Sequence, residues 1–381
     1  FMEIDATVLD PERQKKAKIY ARIQRRLFII SLVIGAVYAI VWLVFGWAKQ
    51  LRDVLFQWTV HQWLLVAGFV ILFGVIYFLI DLPLTYYSDY ILPHRYELST
   101  QDLKGWVLDQ IKSLALTGVL GLILVEVIYV LLRTAPDTWW LWVAAILLFV
   151  NVILANLAPV VIMPLFNKYT PLGDEYADLA ERLLRLAERA NTRVQGVFKF
   201  DMSRRTKAAN AGLTGLGNTR RIVLGDTLLN EFTPDEIETV LAHELGHHVH
   251  KDIPILIVVD SIITLVGLYL ASLGLRQGTV LFGLEGVADI AAFPLLLLVL
   301  GAYSIITMPL GNAFSRWRER MADGYALALT HHGKAYAAAL TRLANQNLAD
   351  ADPDPLIEFF MHSHPALRKR IAMAQDYQEN V

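Results

Sequence analysis

The chain has 381 residues, of which 55% are hydrophobic and 18% charged, with a formal net charge of −2. A mean hydropathy of +0.44 is too high for a soluble globular domain and implies several membrane spans. The near-neutral balance excludes a general basic field for nucleic acid, and the lack of cysteine excludes disulfides and thiolate metal ligands.

Residues 1–26 are polar and mixed in charge, unlike a cleavable signal. Six apolar segments then follow, at roughly 27–47, 63–86, 114–132, 139–163, 253–275 and 287–310. Each can cross a bilayer core of about 30 Å, which takes about 20 helical residues. Trp42, Trp47, Trp63, Trp139, Trp140 and Trp142 fall near span ends, as an interfacial aromatic belt would. Lys and Arg concentrate before span one, from Arg13 to Arg26, and after span two, at Arg95, Lys104 and Lys112. By the positive-inside rule both termini and the long segment 164–252 lie in the cytoplasm. Asp81, Glu126, Asn151, Asn156 and Asp260 fall within spans. They serve either helix–helix hydrogen bonds or a wet interior.

The segment 164–252 opens with an amphipathic helix over 174–190, apolar at Leu179, Leu183, Leu184 and Leu186. Strand-like pieces follow at 194–200, 210–216 and 221–224. The middle piece, with Gly212, Gly215 and Gly217, reads equally as half of a plain hairpin or as an edge strand that pairs with an extended peptide.

Thr233, Pro234, Asp235 and Glu236 form a capping box with proline in the first turn, and open a helix. Its periodic residues Ile237, Val240, Leu241 and Leu245 run through His243-Glu244-Leu245-Gly246-His247, an H-E-x-x-H motif. On that helix His243 and His247 share a face and suit one Zn²⁺, and Glu244 is placed to act as general base toward a water. A catalytic zinc needs a third protein ligand. Glu319 is the candidate, because spans five and six form an antiparallel pair that returns it to the level of His247. Asp323, four residues on, is the candidate partner of a ligating imidazole. The competing reading makes 315–323 a solvated charged face among Arg316, Arg318 and Arg320. His248 and His250 lie off the ligand face, and His364 on residues alone is a lone histidine. A non-catalytic alternative also stands: a zinc-stabilised membrane scaffold or transporter, which would have no use for Glu244.

Taken together, these motifs resemble the M48 metallopeptidases, and within them the Ste24 type, the CAAX prenyl endopeptidases. The resemblance rests on the H-E-x-x-H stretch, on Ser315-Arg316 with Glu319 and Ala322-Asp323, and on His364-Pro365 with Arg370-Ile371. It extends to Pro164 through Lys168, Asn210-Ala211, Arg221 through Leu224 and Asp226 through Leu229. It implies a mainly α, polytopic membrane protein of about six spans with a zincin-like α+β cytoplasmic domain. It implies one Zn²⁺ per chain, held by His243, His247 and Glu319, with Glu244 as base and Asp323 as a buried supporting acid. His364 and Arg370 match residues near the scissile bond, and Asn210-Ala211 matches the edge that pairs with substrate. The implied division is an N-terminal cytoplasmic segment (1–26), a four-span region (27–163) and a metallopeptidase region (164–381) with two further spans. The eukaryotic enzymes carry one more span near the N-terminus, so this shorter form looks bacterial or archaeal. The expected substrates are membrane-associated polypeptides, with prenylated CAAX-like ends as the family's class, and the expected setting is a prokaryotic inner membrane with the site facing the cytoplasm. A heat-shock quality-control peptidase of the same superfamily is the nearer enzymatic rival, but such chains tend to have fewer spans.

Overall fold

The computed structural model describes residues 8–215 and 220–379. Among them, six helices are long and apolar enough to cross a membrane. Four come before residue 164: α1 (Pro11–Val44), α3 (Gln62–Tyr86), α4 (Leu103–Thr134) and α5 (Trp139–Leu157). The short α2 (Trp47–Trp58) lies between the first two. The other two are α9 (Asp252–Leu281) and α10 (Phe293–Thr330). All six predicted spans are present, and α1, α4, α9 and α10 each run beyond one or both ends of their apolar stretches. The expected boundary at 26/27 falls inside α1, which Asp10 caps through the amides of Glu12 and Arg13. A polar run that keeps helical propensity simply continues the helix beyond the apolar core.

The spans pack on an aromatic and aliphatic cluster that includes Phe69, Phe73, Tyr129 and Leu275. Trp42 and Trp139 belong to this buried cluster rather than to an interfacial belt, whereas Trp47, Trp63 and Trp142 are exposed. The polar span residues divide between the two readings. Asp81 accepts from Ser31 and Thr85, and Asn151 donates to Asp260 across α5 and α9 at 3.2 Å. Asn156 donates to its own helix at Val152, and one Glu126 oxygen is buried with no hydrogen-bond partner among the described residues. Asn151 and Asp260 also line a cavity of about 580 Å³.

Beyond the spans, the described residues form a four-stranded sheet: β1 (Tyr169–Pro171), β2 (Val197–Phe200), β3 (Ala211–Thr214) and β4 (Arg221–Gly225), in the order β1-β2-β4-β3. The pair β2/β4 is parallel and the other two are antiparallel. The predicted strand over 194–200 shortens to β2. Strand β3 pairs with β4 as half of an antiparallel hairpin and stands at the edge of the sheet. Residues 216 and 217 lie outside the described residues. The predicted amphipathic helix is a 3₁₀ turn followed by α6 (Ala177–Arg189). Next come α7 (Asp226–Glu231) and α8 (Pro234–Val249), and after α10 come α11 (Gly333–Gln346), α12 (Pro355–Met361) and α13 (Leu367–Glu379). Leu183, Leu186, Ile222, Leu241, Leu245, Ala326 and Tyr336 form the second core, which ties sheet and helices to the far end of α10.

Candidate metal centre

Helix α8 carries the H-E-x-x-H motif, and its start is fixed by sequence. Thr233 accepts from the Glu236 amide while Glu236 accepts from the Thr233 amide at 2.8 Å, a reciprocal capping box. Four residues apart, His243 and His247 present their Nε2 atoms 3.1 Å from each other.

Helix α10 brings the third donor. Glu319 Oε2 lies 3.4 Å from His243 Nε2, and its Oε1 lies 3.3 Å from His247 Nε2. What allows the approach is Gly246. A Cβ there would stand 3.0 Å from the Ala322 Cα and 3.1 Å from its carbonyl oxygen. Ala322 sits between Glu319 and Asp323, so glycine on one helix and alanine on the other set the distance between the two halves of the site. Arg316, Arg318 and Glu319 are all buried. The solvated-face reading of 315–323 is therefore replaced by a buried polar network, with Arg320 left exposed.

Each imidazole has its own carboxylate. His243 Nδ1 is 2.8 Å from Asp323 Oδ1. Asp323 is fully buried and also accepts from Tyr336 Oη at 2.5 Å and from Arg370, through Nε at 2.9 Å and Nη2 at 2.6 Å. His247 Nδ1 is 2.7 Å from Asp252 Oδ2, and Asp252 is held in turn by Arg318, with Nε at 2.7 Å. Such partners fix the ring orientation and leave Nε2 free for a metal. The sequence pattern yields Asp323 but not Asp252, Tyr336, Arg318 or Gly246. Asp252 stands past the end of α8, where left-handed Lys251 (φ 56°) turns the chain into α9 and folds the carboxylate back onto His247.

The donor set fits zinc. For metal–ligand distances of about 2.0–2.1 Å, a tetrahedral ion separates its donors by roughly 3.3 Å. Here the two Nε2 atoms stand 3.1 Å apart, and each faces a different Glu319 oxygen, His247 at 3.3 Å and His243 at 3.4 Å. Glu319 Oε2 is buried without a hydrogen-bond partner among the described residues, as an oxygen reserved for an ion would be. Burial disfavours a charged His247 ring, yet Glu319 and Asp252 outweigh it and raise the ring to about 9. A ring so strongly polarised by carboxylates is a good ligand once its proton leaves.

Glu244 is half-buried beside this cluster, and burial raises its carboxyl above the ordinary value against the pull of His243 and His247. His364 Nε2 lies 3.3 Å from Glu319 Oε1 with its ring largely exposed. Its loop is clasped from α10 by Arg316 Nη1, which donates to the Glu358 and His362 carbonyls at 2.9 and 2.6 Å. Partial desolvation against the site, with Arg370 and the two imidazoles nearby, holds His364 below the usual histidine range despite Glu319. Arg370 points two nitrogens at Asp323, and its third, Nη1, lies 3.7 Å from Glu319 Oε2. Ala211 pairs with Leu224 at the sheet edge that packs along α8, and the Asn210 carbonyl accepts from Gly225.

Two family models match the chain. Residues 4–168 match the CAAX prenyl protease N-terminal region of five membrane helices, and residues 174–378 match peptidase family M48. The uncharacterised metalloprotease YhfN of Bacillus subtilis is 33% identical, over 97% of this chain and 87% of its own length. CAAX prenyl protease 1 of Saccharomyces cerevisiae is 31% identical, again over 97% and 87%. The crystal structure of S. mikatae Ste24p superposes with a TM-score of 0.82 at 28% identity, covering 96% of this chain and 89% of that one. The chain thus belongs to peptidase family M48, as an integral membrane metallopeptidase of the Ste24 type.

Proposed function

We propose that this chain is a zinc endopeptidase acting on membrane-associated polypeptides, prenylated CAAX-like ends among them, with one Zn²⁺ held by His243, His247 and Glu319. The observation that carries the reading is the close cluster of two imidazoles and one carboxylate, with Glu244 adjacent to it in sequence and space. Three protein donors leave a position open for chemistry, whereas a purely structural zinc closes with four. That difference favours a peptidase over a scaffold or transporter. When bound, Zn²⁺ would polarise the scissile carbonyl and acidify a water. Glu244 takes the proton of the attacking water and delivers it to the departing amine, a task suited to a carboxyl raised by burial. His364 is the side chain free to meet the oxyanion, a contact worth roughly 3 kcal/mol in comparable sites. Arg370 acts at one remove, by holding Asp323 against His243. An extended substrate adds to the edge strand β3 beside Asn210 and Ala211.

In this reading 1–26, 164–252 and the C-terminal helical segment face the cytoplasm of a prokaryotic cell, while 27–163 and the two further spans at 253–275 and 287–310 form the membrane region. The prenyl reading draws on the relatives named CAAX prenyl protease 1. Purified protein should digest peptides in a chelator-sensitive way, and Glu244→Gln should keep its zinc while losing about 10²–10⁴-fold in rate. Undiminished turnover in that variant would end the assignment of the base. Parallel digestion of prenylated and unprenylated peptides decides the substrate class.

A further inference from the structure

The face of α1 turned away from the bundle carries Lys15, Lys18, Arg22 and Arg26, followed by Ile29, Val33, Val37 and Val44. At 100° per residue these eight lie in one stripe roughly 100° wide. All eight are exposed. None of the four cations makes a hydrogen bond or ion pair among the described residues. The opposite face is different. There Arg13 donates to the Asn345 carbonyl at 2.7 Å, Gln14 donates to that of Ala349 at 3.1 Å, and Ala17 and Tyr20 are buried. The helix thus commits one face to its own fold and leaves four unpaired charges on the other.

The apolar half of the stripe is a lipid-facing surface of a spanning helix. The basic half continues it without a change of face. At 1.5 Å per residue, Arg26 to Lys15 covers roughly 16 Å. That matches a headgroup layer of about 6–7 Å plus a Debye length of about 8 Å. We propose that Lys15, Lys18, Arg22 and Arg26 form a binding site for anionic lipid headgroups in the leaflet on the metal-centre side. The occupant is a lipid because the stripe is continuous with the lipid-facing surface and its charge complements an anionic headgroup. The inward face of the same helix contributes Tyr20, Gln24 and Arg25 to a cavity of about 740 Å³ that His364 also lines. Lipid held on the outside therefore braces one wall of the space beside the metal centre.

The test uses the full chain, delipidated in neutral detergent and titrated with phosphatidylglycerol or phosphatidylcholine, with bound lipid counted by native mass spectrometry. Phosphatidylglycerol should bind at least roughly fivefold tighter, weakening in high salt. Lys15→Gln/Lys18→Gln/Arg22→Gln/Arg26→Gln should erase the preference. The charge-conserving set Lys15→Arg/Lys18→Arg/Arg22→Lys/Arg26→Lys should keep it. Wild-type metal stoichiometry and unfolding temperature certify each fold, and Lys15→Gln/Lys18→Gln alone, with part of the loss, serves if the fourfold variant does not fold. Equal binding of the two lipids by the wild type overturns the proposal and leaves an acidic protein segment as the stripe's occupant. A preference that survives in a folded glutamine variant overturns it as well.

Discussion

Asp252 decides how well His247 can serve as a ligand. Its carboxylate, 2.7 Å from His247 Nδ1, orients the ring and helps raise it to about 9. At pH 7 the metal-free ring therefore holds a proton that an incoming ion must expel, and affinity falls as pH drops further below 9. Titration calorimetry in buffers of different ionisation enthalpy should show proton release on zinc binding. Asp252→Asn should lower zinc affinity by about 10–100-fold and reduce the protons released. Unchanged affinity would assign Asp252 to the fold alone. Glu319 and Asp323 are legible in the sequence because both sit on a continuous helix, where i, i+4 spacing fixes a shared face. Asp252 is not, because its position depends on a left-handed residue that no periodic pattern announces. Arg370 is legible as a site residue only through family resemblance, and its bidentate grip on Asp323 is a long-range contact that spacing does not encode.

At the scale of elements, the centre is a crossing of α8 and α10 made close by Gly246 over Ala322. Gly246→Ala should push the helices apart by a few tenths of an ångström. The expected result is about 1–3 kcal/mol of lost stability together with weakened metal binding. Thermal unfolding and metal stoichiometry, measured on the same sample, check both. A variant with full zinc occupancy and unchanged unfolding would show that the contact has slack. The capping box at Thr233 made the start of α8 readable, and hydrophobic periodicity made its register readable. The short sheet was less so. Strand β1, three residues long, carries no alternation to detect, and β2 is trimmed where Gly196 takes φ 156°. The order of strands, with β4 inserted between β2 and β3, is a tertiary outcome of packing on the Leu183–Ile222–Leu241 core.

The whole molecule is two cores on shared helices. Helix α10 runs from the aromatic core of the spans to the core around the sheet, and α9 leaves the metal helix to enter the membrane. Six spans could be counted from composition alone, because every segment of span length must satisfy its backbone as helix. Which tryptophans face lipid could not, since Trp42 and Trp139 turn inward to fill the core between helices. The most direct measurement is an anomalous diffraction map of crystals of the full chain, collected at the zinc absorption edge. The expected result is a single peak about 2.0–2.2 Å from His243 Nε2, His247 Nε2 and a Glu319 oxygen, with no fourth protein ligand. A peak away from Glu319, or one closed by a fourth side chain, would contradict it.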